Sequence, residues 1–293
     1  LKAKLKIDED DVSFSFFKKF PNASLNFSNL LIEEENSKDT LLFTQSFSLE
    51  FGLASLFSGN YEVNEIDLYD ALVHLKVNAK GKENYIFWKT SEKSDSTEAP
   101  LTFSLKEVNF KRVVVNYSNK QTKNKAGFTL NSAQFAGDFA LDSSVLSIHS
   151  DLWISTIQKD SAIYFNEKLS RLSVEKAVFD KNKVRLYEGS LKVGEMSLDL
   201  NAIFNLKKEE NTITAVAENV EISEVFSLMP NDVSEKLKVY KTDGFVNGNI
   251  EIQTIKKEKT PRIKADFYIE KGTVTEINSG VELNDLALKG SYE

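Results

Sequence analysis

The chain has 293 residues, 41% of them hydrophobic and 28% charged, with a net charge of -7 and no cysteine. That apolar content suffices for an extensive buried surface, and the acidic balance opposes recognition of a phosphate backbone, so nucleic acid is not expected as a partner. Without cysteine there is no disulfide framework, thiolate metal site or Cys nucleophile, and the redox compartment is left open.

No uninterrupted apolar run approaches the ~18 residues that would span a bilayer, and the N-terminus has no signal-peptide pattern. The chain opens on Leu1, and both "LKAKLKID" and "LNDLALKGSYE" read as interior periodic structure. The expectation is a segment of a longer protein, with any anchor or export signal lying outside it.

In chain order, period-two alternation dominates. Val12, Phe14 and Phe16 share a parity, as do Ala23, Leu25 and Phe27, and then Phe47, Leu49, Phe51 and Leu53. Leu53 to Gly59 is a candidate single helical turn closed by Gly59. Val73, Leu75, Val77 and Ala79 alternate in the parity opposite to Ile66 and Leu68, which predicts an inserted residue, a bulge, between Tyr69 and Leu72. "SEKSDSTEAP", Ser91 to Pro100, reads as a polar loop and a soft boundary between regions 1–100 and 101–293 of the same sheet.

Alternation resumes at Leu101, Phe103 and Leu105, at Val113, Val115 and Tyr117, and at Ala126, Phe128 and Leu130. It continues through Phe135, Phe139 and Leu141, through Leu146, Ile148, Leu152 and Ile154, and from Met196 through Leu198, Leu200, Ala202 and Phe204 to Leu206. Ser223 to Tyr240 is the best helical segment, with Ser223 as N-cap and Pro230 dividing it in two. Ile263, Ala265, Phe267 and Ile269 close the series. Polar clusters such as "EEENSKD", "SNKQTKNKAG" and "KKEEN" separate the runs, which implies many antiparallel strands in succession.

Strands with one apolar face must cover it with a second sheet, close into a barrel, or leave it lining a cavity. The abundance of Phe, 21 against 9 Tyr and 2 Trp, gives that face large area without polar atoms. Sandwich strands usually run ~5–6 residues, whereas "MSLDLNAIFNL" alternates over about twice that, which favours a wide curved sheet or groove. Membrane barrels share long alternating segments but carry ordered aromatic girdles, absent from this sequence. Periodicity alone leaves groove and sandwich open.

Catalytic chemistry is not evident. His74 and His149 both fall on the polar parity of their strands, and the nucleophile-elbow, P-loop and dinucleotide patterns are missing. The acidic runs Asp8 to Asp11 and Glu33 to Glu35 lack the ligand spacing of a calcium loop and read as solvated turns. A hydrolase would need paired carboxylates across a cleft, and the sequence nominates none. No cofactor or metal is expected.

Several features in order resemble the AsmA-like family of bacterial envelope proteins. They are Phe20-Pro21 before an alternating strand, the element Leu53 to Gly59, the strand pair from Val63 to Leu75, a turn with Gly81 and Asn84, and a later hairpin with Gly244, Gly248, Pro261 and Gly272. The chain departs from the family pattern at Ala71, where proline is common, and lacks the family's N-terminal membrane helix.

The resemblance implies a mainly β fold, a long curved antiparallel sheet forming an apolar, taco-like groove with a few short helices. It further implies a periplasmic protein tethered to the inner membrane through an anchor outside this segment, acting as a conduit for phospholipids between the two membranes. The acyl-chain lining expected from shared parity is Phe47, Leu49, Phe51, Val73, Leu75, Phe103, Phe128, Phe139, Leu198, Leu200, Phe204 and Phe267. Envelope proteins are further expected partners, and the alternative reading is a non-enzymatic scaffold for outer-membrane protein assembly that binds through a strand edge.

Overall fold

Alternation along the sequence becomes strand almost throughout the computed structural model, which describes residues 3–19, 21–34, 37–53, 62–85, 102–139, 143–180, 182–205, 207–208, 210–227, 229, 231–255, 258 and 262–292. Two compact units divide the chain: Leu1–Ala140 with Ser150–Asp160, and Leu141–His149 with Ser161–Glu293. The expected class, mainly β with long antiparallel strands and few helices, is what each unit shows. No helix among the described residues is long and apolar enough to cross a membrane.

The first unit contains β1 (Ala3–Lys6), β2 (Val12–Lys19), β3 (Asn22–Glu34), β4 (Thr40–Gly52), β5 (Glu62–Val77), β6 (Thr102–Asn119) and β7 (Asn124–Asp138), together with the later part of β8 (Ser143–Lys159). β1 and β2 lie end to end along β3, separated by a 3-10 turn at Glu9–Asp11 that contains most of the Asp8 to Asp11 run. From β3 to β7 each strand pairs with the next.

The β5–β6 pair is parallel, an exception within the mainly antiparallel pairing. A parallel pair needs a crossover of about a dozen residues or more, and the interval from Asn78 to Leu101 exceeds that. The loop expected at Ser91 to Pro100 lies outside the described residues, as does the turn at Leu53 to Gly59 beyond Leu53 itself.

The parity change expected between Tyr69 and Leu72 is present, but no residue is inserted there. Asp70 has φ 53°, while pairing with β4 runs from Ser46↔Tyr69 to Thr44↔Ala71 without a register shift. The register is kept because the neighbouring strands switch at the same place. Asn29, Gln45, Asp70, Arg112 and Asn131 form one transverse row, and Asn29 and Arg112 are also left-handed, with φ 51° and 54°.

Leu68 and Ala71 therefore share a face, as do Leu42 with Phe47 and Phe110 with Val113. Asn and Asp tolerate a left-handed backbone, whereas Arg is uncommon there. Asp70 holds Arg112 through two bonds, Nε to Oδ1 at 2.5 Å and Nη2 to Oδ2 at 2.6 Å. The buried Thr44 hydroxyl donates to the Tyr69 carbonyl at 2.8 Å, satisfying an acceptor beside the switch.

The second unit adds β9 (Ala162–Asp180), β10 (Lys183–Val193), β11 (Met196–Asn205), β12 (Glu210–Glu221), α1 (Ile222–Ser227), α2 (Asn231–Leu237), β13 (Tyr240–Asp243), β14 (Phe245–Thr254), β15 (Arg262–Glu276) and β16 (Glu282–Tyr292). From β9 to β12 each strand pairs with the next, β14 joins β12 to β15, and β13 and β16 both pair with β15. Here the parity changes are true bulges. One extra residue appears on β10 between Leu186 and Gly189 and on β12 between Ala217 and Val220, and Glu188 and Asn219 both have φ 53°.

Two short helices form on either side of Pro230, as the sequence predicts, Pro230 itself being outside the described residues. Ser223 is not the N-cap. Ile222 opens α1 one residue earlier, and the Ser223 hydroxyl donates to the Glu221 carboxylate at 3.3 Å instead.

Candidate functional site

The predicted lining residues separate into two groups by unit, with different degrees of closure. In the first, Phe47, Val73, Leu75 and Phe128 pack with Leu42, Phe110 and Leu130 over Leu68, Ala71, Val113 and Val115. Val113 is 1% exposed beneath them. Leu49 extends this face because it pairs with Leu25 and Ile66. Phe51 is buried opposite Ala23 and Val63, and Phe139 is half-buried just past β7. Phe103 lies in β6 opposite Val63, and its side chain is outside the described set.

In the second unit Leu198, Leu200 and Phe204 lie on one face of β11, each half-buried, with Ser197, Asp199 and Asn201 exposed on the other. Leu200 begins a row through Ala215, Ile250 and Ala265. Leu198 begins another through Ala217, Gly248 and Phe267 to Gly290. Small residues in that second row leave a trough. With strands ~4.8 Å apart, Leu198 and Phe267 stand roughly 14 Å from each other across an Ala-Gly floor.

Phe267 does not fill that floor. A Cβ built on Gly290 would lie 2.4 Å from its Cζ and 2.7 Å from its Cε1, so the ring leans over β16 and away from Ala217. Among the described residues all strands of this unit belong to one sheet, and the helices touch β9, β12 and β13 without a second sheet stacked on the apolar face. Leu198, Leu200, Phe204 and Phe267 thus share a face that is only partly covered.

The opposite face of the first unit carries a polar row that alternation alone does not reveal. Glu50 pairs with Glu65, Ser48 with Asp67, Glu65 with Glu107, and Asp67 with Asn109, so residues distant in sequence meet on one face. One carboxylate oxygen from each of Glu50, Glu65 and Asp67 lies within 4.8 Å of the others, a donor type suited to a hard divalent cation.

Side chains within the protein already engage the oxygens of Glu65 and Asp67. Asn109 Nδ2 is 3.0 Å from Glu65 Oε1, 3.1 Å from Asp67 Oδ1 and 2.8 Å from Glu107 Oε1. The Ser48 hydroxyl donates to Asp67 Oδ2 at 3.0 Å. The signal that could have found this row is the acidic character of like-facing positions on β4, β5 and β6.

Neither histidine joins it. His149 is exposed, with Nδ1 2.9 Å from the Ser173 hydroxyl, and the His74 carbonyl accepts the Asn84 amide at 2.9 Å. Asn84 also accepts the Lys76 N–H at 2.7 Å, so the turn with Gly81 is tied to the end of β5. Nearby, the Lys76 ammonium donates to Asp39 and holds that carboxyl below its ordinary range.

Comparison of the chain with protein-family models, with curated proteins and with solved structures finds no match.

Proposed function

We propose that this chain is a non-enzymatic lipid-binding and transfer module of the AsmA-like kind. In this reading it works in the periplasm, tethered to the inner membrane through a segment outside this chain, and carries phospholipid between the inner and outer membranes. Acyl chains lie along the apolar face while the headgroup stays at a polar edge. Transfer is sliding along a continuous lining, with no bond made or broken.

The observation that carries the reading is the half-buried apolar face of the second unit. Leu198 and Phe267 wall a floor of Ala217 and Gly248, and no second sheet covers it among the described residues. Burial of each CH₂ is worth about 0.8 kcal/mol, so a partly covered acyl chain is held without hydrogen bonds and with little selectivity for its composition. The first unit supports the reading less, because its lining residues close over a buried core.

Edge strands favour a second reading, the assembly scaffold. Leu283, Leu288 and Tyr292 on β16 are 57%, 50% and 63% exposed, and Phe14 and Phe16 on β2 are 47% and 44% exposed. An exposed apolar edge is a template for strand addition by another polypeptide. Native mass spectrometry of the purified chain with solvent extraction separates the two readings. Co-purified phospholipid supports the conduit, whereas a bound polypeptide without lipid supports the scaffold.

A further inference from the structure

A cleft of about 490 Å³ opens in the second unit beside its helices, bounded by α1, α2, the start of β13 and Lys168 on β9. Phe226, Leu237 and Tyr240 are among its lining residues, together with the three lysines Lys168, Lys238 and Lys241. Its size falls within the usual range for small-molecule sites, roughly 300–1,000 Å³. The charges in the wall do not cancel. Glu235 is the carboxylate of the lining, and it is paired with Lys238 at 2.6 Å.

Lys168 is half-buried, and its ammonium meets a neutral group, the Ser227 hydroxyl, at 3.2 Å. Ser227 donates its own proton to the Glu224 carbonyl at 2.8 Å, so its oxygen is free to accept from Lys168. Among the described residues no carboxylate pairs with Lys168 or Lys241. Two lysines that no described carboxylate pairs, beside aromatic residues in a chain of net charge -7, form an amphipathic anion receptor. Lysine ammonium groups serve phosphate as compact point charges with several donors each.

We propose that this cleft binds a phosphate monoester or diester joined to a glycerol-like body, with Lys168 and Lys241 as the charge partners and Phe226 and Tyr240 against the carbon skeleton. Two sources share that chemistry, a lipid headgroup and a free phosphate ester, and the first of them rests on the lipid-transfer reading. The test uses the whole 293-residue chain. It is titrated calorimetrically with glycerol 3-phosphate, and separately sedimented with vesicles of phosphatidylglycerol or of phosphatidylcholine.

Lys168→Met and Lys241→Met are compared with Lys192→Met, whose partner is Glu195, outside the cleft, and circular dichroism confirms the fold of each variant. Each cleft variant is expected to weaken binding about tenfold, as loss of one charge-assisted bond implies, with Lys192→Met unchanged. Binding of glycerol 3-phosphate that follows this pattern identifies a soluble ester. Binding confined to phosphatidylglycerol vesicles with the same pattern identifies a headgroup.

Absence of binding to either probe, or equal weakening by all three variants, overturns the proposal. Acyl-lipid retention is read separately on the parent chain, with Leu200→Asp as the variant expected to lose it, so a silent cleft in a parent that retains lipid refutes the cleft alone. Binding of glycerol 3-phosphate in a chain that retains no lipid refutes the lipid reading and leaves the soluble ester.

Discussion

Replacing Gly248 by alanine tests whether β14 and β15 approach as closely as the trough requires. The added Cβ would lie 2.5 Å from the Asp266 carbonyl oxygen and 3.1 Å from both Cα and Cβ of Phe267. The Asp266 oxygen and Phe267 Cα are backbone, so no side-chain rotation relieves the clash and the strands must part locally. Overpacking of this kind costs about 1–3 kcal/mol, and the backbone contact places Gly248→Ala near the upper end, about 3 kcal/mol.

Gly280→Ala is the matched control. Its Cβ would have nothing within 4 Å, and its cost comes from a φ of +71° alone, about 1–2 kcal/mol. Urea denaturation followed by circular dichroism measures both. Hydrogen exchange then assigns the loss to the second unit, where the amides of β14 and β15 are expected to lose protection first. A Gly248→Ala variant within about 0.5 kcal/mol of the parent, or less destabilised than Gly280→Ala, would refute the close strand approach and the trough floor built on it.

Val113→Ala removes two methyl groups from a residue 1% exposed, and a denaturant titration is expected to show a loss of about 2 kcal/mol. Leu200→Ala, on the half-covered face, is expected to cost clearly less by the same measurement. Ser48→Ala deletes a buried hydroxyl donor to Asp67 and should cost about 2 kcal/mol in the same titration.

Asp70→Asn keeps a residue that tolerates the left-handed backbone but removes the charge facing Arg112. The Arg112 hydrogen bond holds the Asp70 carboxyl below its ordinary value of 3.8. The stabilisation is therefore fully present above that value and is lost as pH falls through the lowered folded-state value. Acid titrations of parent and variant should diverge above pH 3.8 and converge below it, and Asp70→Ala should be less stable than Asp70→Asn at neutral pH.

Strand identity was legible because alternation is local. Met196, Leu198, Leu200, Ala202 and Phe204 show their shared face without reference to any partner, and Pro230 announces the split between the two helices. The switch at Asp70 was equally visible from Leu68 and Val73, yet its nature was not. Whether one strand inserts a residue or a whole row turns together depends on Gln45, Arg112 and Asn131, which only pairing brings alongside.

The parallel β5–β6 pair was hidden for the same reason, since alternation carries no strand direction. Glu50, Glu65, Asp67 and Glu107 each look like a solvated residue on a polar face until register gathers them. The cleft is less legible still, because Lys168 and Lys241 come from strands far apart in sequence.

The lipid-transfer proposal places Leu200 and Phe204 on an open lipid-bearing face rather than in a closed core. Native mass spectrometry with lipid extraction, run on the parent, Leu200→Asp and Phe204→Asp after purification from bacteria under mild conditions, tests it directly. Phospholipid is expected on the parent and absent from both variants, with circular dichroism and the denaturation midpoint retained. A parent free of lipid that takes up no added phospholipid, or variants that lose their fold, would contradict it.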